Sequence, residues 1–259
     1  MNLSMDGELA AAYQSGSQRA RVVTEFWGEN NLYCPNCSSS RLSRLKNNTK
    51  ASDFVCPRCN FRYQLKGQQQ RIGNHVSDGA YEAMMSAIRN DQTPNFYFMQ
   101  YDLRTWSVKN LLLVPHFAFP ASAIIKRNPL APTARRAGWI GCNIALIRIP
   151  PEARISLVTE NQITPENVVR KQFRHVKPLE KISITQRGWT LDVLTVVRSL
   201  NTPVFSTQDV YTLAPHLEKL HPGNRHIREK IRQQLQVLRD AGFLAHLNRG
   251  SWKLKNPVC

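Results

Sequence analysis

Acidic residues are scarce in this chain: 18 Asp plus Glu face 35 Lys plus Arg over 259 residues, a net charge of +17. Such an imbalance opposes compaction and disfavours a basic partner. It favours an anionic one, nucleic acid first, because neutralised phosphates release counterions; a merely solvated basic surface is the plainer alternative. Long apolar runs are lacking too. None approaches the roughly 20 residues needed to cross a bilayer, so no membrane-spanning helix is expected. The opening MNLSMDGELAAAYQ has no basic segment followed by an apolar one, which argues against a secretory leader and for a soluble, cytoplasmic protein. Cysteine is sparse, with six residues, and in a reducing compartment these point to metal binding or free thiols rather than disulfides. Internal repeats and low-complexity tracts are absent.

What is present falls into two parts. Residues 1–183 read as a mixed helix and sheet domain: a helix over 7–28, a second over 77–90 capped by Ser77 or Asp78, and strands at 95–101, 108–115, 143–149 and 154–158. The Pro-, Arg- and Gly-rich stretch 116–142 reads as loop. Residues 184–259 differ. Helices are expected at 189–200, at 205–220 behind a Ser206 or Thr207 cap, and at 224–241, where Ile227, Ile231, Leu235 and Leu238 form a buried stripe ended by Gly242. A hairpin of 243–247 and 251–254 closes the chain. Three helices and a terminal hairpin describe a winged helix, whose third helix enters the DNA major groove. A bare three-helix module is the alternative, against which stand Arg225, His226, Arg228, Lys230 and Arg232 on or near that helix.

Cys34-Pro-Asn-Cys37 and Cys56-Pro-Arg-Cys59 are two C-x2-C knuckles separated by 18 residues. The spacing fits a closed tetrahedral zinc site, structural because four thiolates leave no position for water. Iron is conceivable, but nothing favours it. Cys142 and Cys259 are left over as ordinary thiols.

Around the second knuckle stand Asp53 and the pair Gln64 and Lys66. Residues two apart on a strand share a face, so Gln64 and Lys66 project together. If Cys56–Cys59 is the turn of a hairpin, Asp53 comes beside them. A carboxylate, an amide oxygen and an ammonium around one point suit phosphodiester hydrolysis with Mg2+, which takes oxygen ligands and acidifies a bound water. The pattern alone is weak; its place on a metal-clamped hairpin strengthens it.

In this order of helix, cysteine knuckles, D-x(n)-Q-x-K and winged helix, the chain resembles the PD-(D/E)xK restriction endonucleases. Within them it is similar to the DpnI-like (type IIM) enzymes that cut double-stranded DNA only where GATC carries N6-methyladenine. The resemblance spans nearly the whole chain and is close at SQRARVVTEFW (17–27), YCPNC (33–37), SDGAYEAMM (77–85), PLAPTARRAGWIGCNI (129–144) and HIREKIRQQLQVLRD (226–240). It implies an α/β PD-(D/E)xK core with an embedded four-cysteine zinc site, then a C-terminal winged-helix domain, acting as a monomer in a bacterium. It implies Mg2+ held by Asp53, position 64 and the Leu65 carbonyl, with Lys66 as catalytic lysine. Gln64 departs from the family's Glu, which weakens the expected hold on Mg2+. Trp139 becomes a candidate methyl sensor, unless it simply packs beneath its loop. Arg135 and Arg136, with Arg225, His226, Arg228 and Arg232 on the winged helix, become candidate DNA contacts. A reader of methylated DNA that does not cut is the alternative from another class.

Overall fold

A computed structural model describes residues 1–46, 49 and 51–255. Seven helices and thirteen strands follow one another among them. The helices are α1 (Gly16–Asn31), α2 (Tyr81–Arg89), α3 (Glu166–Val176), α4 (Ile184–Ser199), α5 (Thr207–Thr212), α6 (Ala214–Leu220) and α7 (Ile227–Asp240). The N-terminal strands are β1 (Ser43–Arg44), β2 (Phe54–Val55), β3 (Arg62–Gln68), β4 (His75–Ala80), β5 (Asn95–Asp102), β6 (Ser107–Val114), β7 (Ile124–Lys126), β8 (Gly141–Ala145), β9 (Ile155–Thr159) and β10 (Gln162–Ile163). The C-terminal strands are β11 (Val204–Ser206), β12 (Leu244–Asn248) and β13 (Ser251–Leu254). The chain is thus α/β, with a central mixed sheet carrying the cysteines and a helical C-terminal part closed by a small sheet.

The large sheet runs β1-β2-β3-β5-β6-β9-β10, antiparallel except where β3 lies parallel to β5. The β5 run NFYFMQYD is buried almost throughout, so it reads as a continuous apolar segment rather than an alternating one. Phe96 and Phe98 stack at 5.5 Å and Tyr63 and Tyr97 at 5.6 Å. Helix α1 lies against β3, and Gly28 makes the approach possible: a Cβ there would stand 2.7 Å from Phe54 and 3.3 Å from Leu65. A second sheet, β4-β8-β7, extends from this body, and the segment 127–140 forms the tip between β7 and β8.

Several expected elements shift. Residues 7–10 form a separate 3-10 turn capped by Asp6, and the helix proper starts only at Gly16, within the Ser15-Gly16-Ser17 stretch of weak helix formers. Ser77 and Asp78 do not cap α2; they belong to β4, paired with Asn143 and Cys142 of β8, and α2 begins only at Tyr81. The stretch 116–142 is not all loop, since it contains β7 and the start of β8. Strand β8 ends at Ala145, because Leu146–Arg148 turns so that Arg148 reaches the Ser122 carbonyl. Helix α3, absent from the sequence expectations, buries Val169, Phe173 and Val176 behind Pro165.

In the C-terminal part, α4 starts at Ile184 rather than 189, through Gly188, because Arg187 in its first turn is held by Asp91 and by the Glu180 and Ile182 carbonyls. The expected helix 205–220 is two pieces, broken at Pro215, which cannot donate an amide to the preceding turn. Ser206 caps α5 in a capping box with Asp209. Ile227, Ile231, Leu235 and Leu238 are buried, and Gly242 turns the chain at φ +89. No helix among the described residues is long and apolar enough to cross a membrane. Cys259 lies outside the described residues.

Candidate functional site

The knuckles come together as one cluster. The sulfurs of Cys34, Cys37, Cys56 and Cys59 lie within 4.8 Å of one another, with Cys34–Cys59 and Cys37–Cys56 both at 3.5 Å. Tetrahedral zinc with Zn–S near 2.3 Å would set its sulfurs about 3.8 Å apart, so the cluster could hold such an ion. Burial pushes the Cys34 thiol up. Burial acts likewise on Cys56, but the backbone N–H groups of Cys59 and Arg58 outweigh it and bring that thiol down to about 7. These amides stabilise sulfur as an anion, the form that binds metal. Tyr63 meets Cys34 Sγ through its hydroxyl at 3.0 Å, which joins the cluster to β3.

From the knuckle, the chain runs back into β3. Phe54 pairs with Tyr63 and Val55 with Arg62, and the Asp53 N–H donates to the Tyr63 carbonyl at 2.9 Å. The hairpin therefore puts Asp53 beside Gln64. Phe54, Tyr63 and Leu65 turn toward α1, leaving Gln64 and Lys66 on the opposite face of β3. The two-residue β2 leaves the edge of β3 uncovered beyond Tyr63, and the Asp53 carboxylate takes the place of the missing strand: Leu65 N–H donates to its Oδ2 at 2.8 Å. A strand residue's N–H and C=O leave by the same edge, so the Leu65 carbonyl also exits toward Asp53. Burial raises the Asp53 carboxyl above its usual range, and the Leu65 amide, Lys66, Arg21 and Arg44 pull against it. Asp53, Gln64 and the Leu65 carbonyl are oxygen donors of the kind a hard divalent cation takes.

Two neighbours of this site escaped the sequence. Lys66 Nζ is 2.6 Å from Asp78 Oδ1. Glu25 of α1 lines with Asp53 and Arg21 a cavity of about 200 Å³, and is itself paired with Arg21 and Arg44. A signal for Glu25 existed, since it lies one turn beyond Arg21 on α1, but nothing in sequence placed that helix face against Asp53.

The remaining candidates lie elsewhere. Arg135 and Arg136 are exposed at the tip between β7 and β8. Trp139 is half-buried beneath Arg136, whose guanidinium stands 4.7 Å from the indole, and its ring lies over Gly141, where a Cβ would meet it at 2.9 Å. The aromatic thus packs on the stem of its own loop. Arg225 and His226 precede α7, and Arg228 and Arg232 lie on it, all four exposed. Arg228 and Arg232 both lie against the Tyr211 ring of α5, at 5.3 and 5.7 Å.

Residues 1–182 match the Dam-replacing family (DpnI), and residues 185–254 match the Dam-replacing HTH domain. The chain belongs to the Dam-replacing family. As a Dam-replacing, DpnI-type protein it is a methylation-dependent restriction endonuclease, with a helix-turn-helix part that binds DNA. The four-cysteine cluster falls wholly within the segment matched to the Dam-replacing family proper, and the α7 cations within its HTH domain.

Proposed function

We propose that the protein is a type II endonuclease that hydrolyses double-stranded DNA at GATC containing N6-methyladenine, with Mg2+ as catalytic cofactor. The observation that carries this reading is the Asp53 carboxylate, fixed by the Leu65 amide on the edge of β3, between Gln64 and Lys66 in the chain. Asp53, Gln64 and the Leu65 carbonyl would hold Mg2+, and this all-oxygen donor set fits the ion. When bound, Mg2+ supplies polarisation of the phosphoryl oxygen and a more acidic water. Lys66 places a positive charge where negative charge grows on the phosphate and orients the attacking water. Zinc on the four thiolates would be structural, keeping the hairpin that carries Asp53 in register.

We assign residues 1–183 to catalysis and 184–259 to winged-helix binding, in a monomer of the bacterial cytoplasm. Arg135 and Arg136 would reach base edges or phosphates, and Arg225, His226, Arg228 and Arg232 would contact DNA from the winged helix. Trp139 packs on the stem of its loop but stays partly exposed, and that exposed part would sense the methyl group. Burying one methyl contributes only about 0.8 kcal/mol, roughly fourfold, so strong discrimination also needs shape selection or reading by both domains.

The test is incubation of adenine-methylated and unmethylated plasmid with Mg2+. Cutting of the methylated plasmid alone is expected, and Asp53→Asn or Lys66→Ala should abolish it while leaving DNA binding largely intact. Full-rate cutting by either variant removes the assignment. Methylated DNA that is bound but left whole would favour a reader, the alternative to which the amide at Gln64 lends weight.

A further inference from the structure

Lys66 does not stand alone on its face of β3. Its ammonium is 2.6 Å from Asp78 Oδ1, and the Asp78 side chain is only 7% exposed against 24% for Lys66. The two residues belong to different sheets, so this ion pair is a bridge between them. Asp78 sits where the β4–β8 ladder slips: it pairs with Cys142, whereas Ala80 pairs with Gly141, leaving Gly79 as the extra residue. Such bulges re-aim a side chain and are common beside active sites. The slip is held on both sides, by Cys142 Sγ against the Gly79 carbonyl at 3.5 Å and by the Tyr81 N–H on the Ile140 carbonyl at 3.1 Å.

Strand β8 is also the stem of the 127–140 tip. Gly141, one residue before the partner of Asp78, is the residue over which the Trp139 ring lies. Lys66, Asp78, Cys142, Gly141 and Trp139 are therefore joined in order by ion pair, ladder, chain and packing. Left unpaired, a four-carbon lysine stem samples many rotamers; a nearly buried carboxylate on a bulged strand selects one.

We propose that Asp78 is a positioning residue for Lys66, anchoring the ammonium of the lysine to the stem of the loop that carries Arg135, Arg136 and Trp139. The inference deepens the nuclease reading above and rests on it for the role of the lysine. It makes the placement of the cationic group and the seating of the DNA-facing loop properties of one strand.

Two measurements on the full-length protein test it. In the first, Lys66 acetylation by acetic anhydride is followed by peptide mass spectrometry without DNA. Asp78→Ala and the isosteric Asp78→Asn should both accelerate it severalfold, with the melting temperature reported for each variant. In the second, binding and single-turnover cleavage of a methylated GATC duplex are measured with Mg2+. Asp78→Asn should lower the rate by about tenfold or more while Kd stays within about twofold, and Asp78→Glu should recover part of the rate. Unchanged acetylation in folded variants overturns the proposal. So does an unchanged rate, or a Kd that rises as much as the rate falls. If the unaltered protein leaves methylated DNA whole, the nuclease reading fails, and the acetylation result alone decides the position of Asp78.

Discussion

Gln64 is the residue on which the chemistry of the site turns. In the proposed metal site it offers an amide oxygen, so Asp53 supplies the only formal negative charge among the three donors. Replacing Gln64 by Glu adds a second charge to a place where burial already pushes the Asp53 carboxyl up. Without metal the two carboxylates repel; with a divalent cation between them the repulsion becomes attraction. We expect Gln64→Glu to lower the Mg2+ concentration for half-maximal cleavage by roughly tenfold, about 1.4 kcal/mol of binding. The variant should also melt lower than the parent without Mg2+ and recover with it. Cleavage titrated against Mg2+, with paired melting curves, checks this; complete loss of activity would mean that the site is shaped around an amide. The hairpin that brings Asp53 beside Gln64, with Lys66 two residues further along the same strand, was legible because strand period and hairpin pairing are local rules. Asp78 was not: the same Ser77-Asp78 pair before an apolar stripe is a cap signal in sequence, and only pairing with the distant Cys142 makes it strand.

At the scale of elements, the hairpin Phe54–Gln68 is held at one end by cysteine sulfur and at the other by a carboxylate on a strand edge. Strand β2 spans only two residues, too short to fix register by itself. The cluster supplies what the short ladder lacks. Cys56→Ser should therefore release bound zinc, measured by metal analysis of the purified protein, and lower the melting temperature. A folded, fully active Cys56→Ser protein would show that the knuckle is dispensable. A smaller effect is expected in the C-terminal part. Ser206 Oγ accepts from the Asp209 N–H at 3.1 Å, and the Asp209 carboxylate accepts from the Ser206 N–H at 2.7 Å. Ser206→Ala should cost about 1 kcal/mol in chemical denaturation. That cap and the α7 stripe were readable because each is set by neighbours within four residues. The break at Pro215, the early start of α4 and the whole of α3 were harder to read. Arg187 starts α4 through Asp91, which lies 96 positions away, and α3 depends on packing against β9 and on the distant Phe117, whose ring meets Phe173 edge-on at 5.8 Å.

Across the whole molecule, α4 carries polar links between the two parts, beside the edge contact of His175 with Phe243. Arg187 pairs with Asp91 at 2.6 Å, Ser122 donates to Asp192 at 2.5 Å, and Arg198 pairs with the buried Glu152. Between the parts lies a cavity of about 350 Å³ lined by His116, Asp91, Arg187, Trp189 and His221. The His116 ring meets Phe61 and Phe117 edge-on at 5.1 and 5.0 Å, with Glu180 Oε1 3.5 Å from its Nε2. Burial lowers its pKa to about 4; Asp91 pulls it back upward, while Arg187 and Lys177 lower it further. The folded protein therefore keeps His116 neutral where the unfolded chain, titrating near 6.5, takes up a proton. Stability from this group is complete above pH 6.5 and is lost as pH falls toward about 4, by roughly 3 kcal/mol at full titration. Other groups titrate in the same window, so the informative quantity is a difference between proteins. Unfolding free energy measured at pH 7 and pH 4.5 should fall more steeply for the parent than for His116→Gln, which cannot take up that proton. Equal slopes would mean that His116 titrates alike in both states, and that acid loosens the junction at α4 through its carboxylates instead.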